Sequence, residues 1–107
     1  MKINLQSKNF ELTETIKDYV FKKVTNLEKL LSTMEEGGGE SIINFEVGKS
    51  TKHHKSGFVF HADCLVNIKG EEFYSSSDRE DIYQAIDEIR ESLYEEIRRY
   101  KERKQTL

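Results

Sequence analysis

The fold is decided by residues 58–68, FVFHADCLVNI. Apolar side chains occupy every second position of this stretch: Phe58, Phe60, Ala62, Cys64, Val66 and Ile68. Successive side chains of a β-strand point to opposite faces, so this alternation is typical of a strand with one apolar face. We therefore predict a strand that packs one face against a hydrophobic core.

Three more strands are predicted on either side of this one. The segment 41–48 alternates in the same way, and residues 2–7 form a short alternating run near the N-terminus. After the central strand, residues 69–71 predict a tight turn into a short strand near Phe73 and Ser75. Together these segments indicate a four-stranded sheet.

Two amphipathic helices are predicted between and after the strands. The first has Thr13 as its N-cap and ends at the glycines 37–39, and its apolar stripe is Ile16, Val20, Val24, Leu27, Leu31 and Met34. The second has Asp78 as its N-cap and runs to about Arg103, and its stripe is Ile82, Ile86, Ile89, Leu93, Ile97 and Tyr100. Spacings of three and four residues place each stripe on one helix face.

The order of elements is therefore β-α-β-β-β-α, which indicates an α+β fold. The simplest packing lays both helices on one face of the four-stranded sheet, because one core then covers all three apolar surfaces. Residues 1–107 are expected to form a single domain, with a tail that frays after about residue 103.

The composition predicts a charged cytoplasmic protein. The chain has 107 residues, of which 36% are hydrophobic and 35% are charged. It lacks an apolar run of the ~18 residues that a membrane span needs. Residues 1–5 do not resemble a signal peptide, and Cys64 has no second cysteine with which to pair.

The distribution of charge matters more than the net charge of −3. A nucleic-acid-binding protein is usually basic, yet here the basic residues cluster apart from the acidic ones. The candidate RNA-binding residues are Lys22, Lys23 and Lys29 of the first helix, Lys49, Lys52 and Lys55 near the central loop, and Arg90, Arg98, Arg99, Lys101 and Arg103 of the last helix. The alternative is that these clusters are solvated faces, and that the terminal one complements the helix dipole.

No catalytic or metal-binding constellation is predicted. His61 and Asp63 share one face of the central strand while Cys64 points to the other, so the three side chains do not converge on a metal. Glycines 37–39 lead from a helix into a strand, which is the reverse of a phosphate-binding loop. We therefore expect no enzyme activity, no cofactor and no small-molecule substrate.

Two motifs carry a resemblance to a known family. Asn9-Phe10-Glu11-Leu12-Thr13, followed by Tyr19-Val20 and Lys23, resembles the opening of the ribosome hibernation-promoting factor and ribosome-associated inhibitor family. The stronger resemblance is that of Asp81-Ile82-Tyr83-Gln84-Ala85-Ile86-Asp87 to the start of the family's last helix. Its members are also described as ribosomal subunit interface proteins or sigma-54 modulation proteins. The resemblance covers nearly the whole chain and matches the predicted order of elements.

The resemblance implies a translation inhibitor without catalytic activity. Family members occupy the mRNA and tRNA channel of the small ribosomal subunit and store ribosomes in an inactive state. Their Lys and Arg side chains contact rRNA phosphates, which position a protein without reading sequence. Because no second, dimerising domain is present in this sequence, we expect either that the chain blocks single ribosomes or that it acts with a separate ribosome-dimerising factor.

The basic positions of the family are only partly retained. The residues that match are Lys23, Lys49, Arg99, Lys101 and Arg103, and the residues that depart are Asn26, Ser92, Glu95 and Glu96. The departures leave an alternative open, in which the chain is a protein-interaction module with weakened rRNA binding.

Structural roles are expected for three other residues of the last helix. Tyr83 and Asp87, four residues apart, are expected to fix the last helix onto the sheet edge, and Tyr94 is expected to be a partly covered surface aromatic.

Overall fold

The structure, a computed structural model, describes residues 1–50 and 59–105. Its elements are β1 (Lys2–Lys8), α1 (Glu14–Thr25), α2 (Glu28–Met34), β2 (Ile42–Ser50), β3 (Val59–Ile68), β4 (Glu71–Arg79) and α3 (Ile82–Gln105). The predicted α+β class is confirmed. Within the described residues, no helix is both long and apolar enough to cross a membrane.

The four strands form one sheet in the order β1-β2-β3-β4. β1 and β2 are parallel because α1 and α2 form the crossover between them, whereas β2–β3 and β3–β4 are antiparallel neighbours. Cys64 of β3 lies opposite Phe45 of β2 and Ser75 of β4. This register aligns the inward-facing side chains of adjacent strands, so the sheet presents one continuous apolar face.

The helices cover that face and form a two-layer domain. Among the largest fully buried side chains, α1, α2 and the turn between them contribute Val20, Leu27 and Leu31, β2 and β3 contribute Ile43, Val47, Val66 and Ile68, and α3 contributes Ile86, Ile89, Leu93 and Ile97. Cys64 is buried among them, as predicted. Its burial raises the pKa of the thiol to about 12, so the side chain stays protonated and apolar.

The predicted first helix is in fact two helices. The expected continuous helix from Thr13 to the glycines 37–39 is wrong, because the chain breaks after Thr25 into α1 and α2. Leu27 donates its backbone N–H to the Val24 carbonyl at 2.9 Å, an i−3 bond that tightens the turn. The Thr25 hydroxyl donates to the Lys22 carbonyl at 2.8 Å, a local bond of the kind that bends helices.

Of the two predicted helix N-caps, one is confirmed and the other is wrong. Thr13 is the N-cap of α1 as predicted, and its hydroxyl accepts the backbone N–H of Ile16 at 3.2 Å. The prediction for Asp78 is wrong, because β4 continues through it as far as Arg79. Asp81 caps α3 instead, and its carboxylate accepts the backbone N–H of Tyr83 at 2.9 Å.

His61 lies between two carboxylates on the sheet face that the helices leave uncovered. Its ring nitrogens lie 2.7 Å from the carboxylate of Asp78 and 2.9 Å from that of Asp63. Burial alone lowers the pKa of His61, but the hydrogen bonds and negative charges of Asp78 and Asp63 outweigh it and raise the pKa above its usual value. The cluster therefore stabilises the charged imidazolium.

We predict a pH-dependent loss of stability for His61→Asn. Because the folded-state pKa is raised, the contribution of His61 is fully present below its unfolded pKa of about 6.5 and is lost as pH rises through the folded value. Urea denaturation is expected to give a lower unfolding free energy for the variant near pH 5 and no difference near pH 9. The control Ser76→Ala, on the same face, is expected to show no such trend, and a pH-independent effect of His61→Asn would contradict the prediction.

Candidate nucleic-acid interface

A row of side chains follows the line where α3 lies beside α1 and α2. On α3, Asp87, Arg90, Tyr94 and Lys101 are spaced by three, four and seven residues, so they share one side of the helix. Asp87 contacts α1 and Lys101 contacts α2, which places Arg90 and Tyr94 between them. At 1.5 Å per residue the row is about 21 Å long. We call Lys23, Arg90, Tyr94 and Lys101 the seam.

One end of the seam is held by the carboxylate of Asp87. The hydroxyl of Tyr19 donates to Asp87 Oδ1 at 2.6 Å, and Lys23 Nζ lies 3.2 Å from the same oxygen. The ring of Tyr19 also meets that of Tyr83 edge-on, with centroids 4.9 Å apart. Because ionised Tyr19 would lose the bond that it donates to Asp87, the pKa of Tyr19 is raised to about 12.

This geometry corrects one prediction and adds one residue. Tyr83 and Asp87 do anchor the last helix, but onto α1 rather than onto the sheet edge. Tyr19 was not among the predicted site residues, although its spacing of four from Lys23 signalled that both lie on one face of α1. An ammonium has three donors, so the pair with Asp87 leaves Lys23 able to bind a second anion.

The other end of the seam is fixed by Lys101. Its ammonium donates to the carbonyl of Leu30 at 3.0 Å and to the hydroxyl of Thr33, both in the last turns of α2. A cation at the C-terminal end of a helix is favoured by the helix dipole. Lys101 therefore contributes to joining α3 and α2 as well as to the positive charge of the seam.

Arg90 lies between these two ends. Its guanidinium carbon is 5.3 Å from the centroid of the Tyr94 ring, a distance typical of a cation–π contact. Arg90 Nε is buried and has no hydrogen-bond partner among the described residues. Tyr94 is half-buried and covered by Arg90, as expected for a surface aromatic. The stack holds Arg90 in place along the seam.

Two further arginines of α3 are paired with acids of the same helix. Arg98 pairs with both Glu95 and Glu102, and Arg99 Nε lies 3.3 Å from Glu95. A shallow groove of about 380 Å³ is lined by Ser92, Glu95, Glu96, Arg99 and Arg103. The Arg98 and Arg99 side chains lower the pKa of Glu95, with the Arg98 hydrogen bond as the largest cause, so Glu95 stays ionised.

The other predicted residues lie away from the seam. Lys22 and Lys29 are exposed on α1 and α2, and Lys49 lies near the end of β2 with its ammonium 5.9 Å from the Phe60 ring. Lys52 and Lys55 lie outside the described residues. Of the predicted set, the structure thus brings Lys23, Arg90 and Lys101 into one row.

The outer face of the sheet is unsuited to phosphate. Glu46 and Asp63 lie directly opposite each other on β2 and β3, and Asp78 follows nearby on β4. These carboxylates repel a polyanion, so the helix side is the candidate interface. Across residues 1–50 and 59–105, no three His, Cys, Asp or Glu side chains are arranged to hold a metal ion.

The sequence of the chain matches one known protein family. The family model described as Sigma 54 modulation protein / S30EA ribosomal protein matches residues 3–105. The chain belongs to this family. Two curated relatives are named ribosome hibernation promoting factor. The one from Pseudomonas putida is 24% identical over 107 residues, which cover 100% of this chain and 93% of the relative. The one from Escherichia coli is 25% identical over 103 residues, which cover 96% of each chain.

Two solved structures share the fold of this family member. The N-terminal domain of Protein Y from Thermus thermophilus superposes with a TM-score of 0.73 at 24% identity, over 94% of this chain and 99% of that one. A ribosomal subunit interface protein from Coxiella burnetii superposes with a TM-score of 0.76 at 14% identity, over 94% of this chain and 98% of that one. The two-layer architecture is therefore shared with both solved structures.

We predict that Tyr19→Phe destabilises the protein by about 1 kcal/mol, because it removes the hydroxyl that joins α1 to α3 through Asp87. Urea denaturation followed by circular dichroism measures the change. Tyr74→Phe is the matched control, since Tyr74 is 55% exposed and its hydroxyl has no partner among the described residues. Equal effects of the two substitutions would show that the Tyr19 hydroxyl contributes nothing to helix packing.

Proposed function

We propose that the chain binds the small ribosomal subunit through rRNA phosphates along the seam and stores ribosomes in an inactive state. The observation that carries the proposal is a row of fixed cations on the helix side of an acidic protein. Family membership and the names of the curated relatives support ribosome binding and hibernation. A ribosome-bound protein of this kind acts in the cytoplasm.

The dimensions of the seam suit a stretch of RNA backbone. At about 21 Å, the row is long enough to contact several successive phosphates of one RNA strand. Lys23, Arg90 and Lys101 are each held by protein contacts, so less side-chain entropy is lost when a phosphate binds. Contacts of this type fix position and orientation without reading bases, which suits binding to one site on folded rRNA.

The binding position that we propose is the channel for mRNA and tRNA. Structured RNA is recognised by shape and backbone, and a narrow cationic row on a rigid domain fits a groove lined by phosphates. A protein in this channel would exclude mRNA and tRNA directly, which gives inhibition without any reaction. Ribosome pairing would then depend on a separate dimerising factor.

A second candidate function is a protein-interaction module on the same fold. It is favoured by one observation, the pairing of Arg98 and Arg99 with acids of their own helix. These pairs reduce the positive charge offered by the last two turns of α3. The two functions differ in salt dependence, because phosphate binding releases counterions and weakens steeply as salt rises.

We predict that Lys23→Gln combined with Arg90→Gln weakens co-sedimentation with purified small subunits. The slope of log affinity against log salt is expected to fall by about 1.5, since each phosphate contact contributes a little under one unit. The matched control is Lys2→Gln with Lys8→Gln, which removes the same charge from exposed positions of β1. Lys101 is left unchanged because it also anchors α2.

The alternatives give distinct results in the same experiment. Loss of binding in the seam variant alone supports a phosphate-anchored ribosome factor. Equal weakening in both variants would mean that only net charge matters, and the seam would not be the interface. Absence of wild-type binding even at low salt would overturn the proposal and favour the protein-interaction module.

A further inference from the structure

Cations on the two sides of α3 have different contacts. Arg99 follows Arg90 by nine residues, a rotation of about 180° in an α-helix, so the two side chains leave α3 on opposite sides. Arg90 lies against Tyr94, whereas Arg99 is bound by Glu95. The side of α3 away from the seam thus carries Arg99, which is paired with a carboxylate.

Glu95 is shared by two arginines. It pairs with Arg98 at three residues and with Arg99 at four residues, and Arg98 also pairs with Glu102. A phosphate that approaches either arginine must displace Glu95 or bind beside its negative charge. Each exchange replaces an existing ion pair with a new one, so the net gain from such a phosphate is small.

These pairs contribute little to the stability of the fold. Arg99 is 65% exposed and Glu95 is 42% exposed, and exposed ion pairs stabilise proteins only weakly. Without Glu95, Arg99 would lose this carboxylate partner and Arg98 would keep only Glu102, so this part of α3 would present a more cationic surface. Such a surface binds RNA of any sequence or shape, since the affinity depends on charge alone.

We propose that Glu95 is a specificity-determining residue that suppresses non-specific RNA binding on the far side of α3. This inference rests on the proposed function, because it takes the seam as the side that binds the small subunit. Specificity is a difference between two affinities, and weakening the unwanted complex raises it as surely as strengthening the wanted one. Glu95 therefore directs the protein to its ribosomal site by blocking a competing mode of RNA binding.

The test compares Glu95→Gln with Glu91→Gln. Both substitutions remove one negative charge from an acid of α3 and keep the side-chain shape. Glu91 is exposed and has no ion pair among the described residues, so it controls for net charge. Far-ultraviolet circular dichroism verifies that both variants remain folded.

Two affinities are measured for each protein at the same salt concentration. One is for a fluorescent single-stranded oligouridylate, by anisotropy, and the other is for purified small subunits, by co-sedimentation. Glu95→Gln is expected to raise oligouridylate affinity about fivefold, the size of one or two exposed ion pairs, and subunit affinity by less than about twofold. Glu91→Gln is expected to raise oligouridylate affinity by less than about twofold.

The results separate this inference from the proposed function. If Glu95→Gln raises both affinities equally, or matches Glu91→Gln on oligouridylate, Glu95 does not determine specificity, while subunit binding by the wild type stands. If the wild type does not bind subunits at any salt concentration, the proposed function fails, and the specificity role of Glu95 fails with it. A selective gain on oligouridylate supports the inference.

Discussion

The arrangement of this protein depends on one carboxylate, that of Asp87. It accepts a hydrogen bond from the hydroxyl of Tyr19 and forms an ion pair with Lys23, and so joins α3 to α1. The apolar stripes of α1, α2 and α3 set which side of each helix faces the sheet. The hydrogen bond from Tyr19 to Asp87 adds a directional contact between α1 and α3, because a hydrogen bond requires both distance and angle. Joining the helices at this point also positions the cationic seam.

The charge pattern follows from that alignment. The outer sheet face presents carboxylates around His61, while the helix side presents Lys23, Arg90 and Lys101. An acidic protein can thereby offer a cationic row to a polyanion and turn its repulsive face away. The two sides of α3 differ in the same way: Arg90 stacks on Tyr94 on one side, and Arg99 forms an ion pair with Glu95 on the other.

The fold could be predicted from the sequence because alternation and helical spacing report directly on which side chains are buried. Finer features depended on tertiary context. Nothing local distinguishes Asp78 from Asp81 as a cap, and pairing of β4 with β3 is what holds Asp78 in a strand. The site was predicted in part: Lys23 and Lys101 were identified as cations, but their fixation across the seam involves contacts 64 or more residues away. Single-sequence spacing carries no such information.

Directed hydroxyl-radical probing tests the central claim, that the seam faces the rRNA of the mRNA and tRNA channel. An iron chelate is tethered to Asn26→Cys, three residues beyond Lys23 on the helix side, or to Ser76→Cys on the outer sheet face. Buried Cys64, whose pKa is raised, does not compete for the reagent. The account predicts strong cleavage of channel rRNA from position 26 and weak cleavage from position 76. Stronger cleavage from position 76, or cleavage confined to rRNA outside the channel, would contradict it.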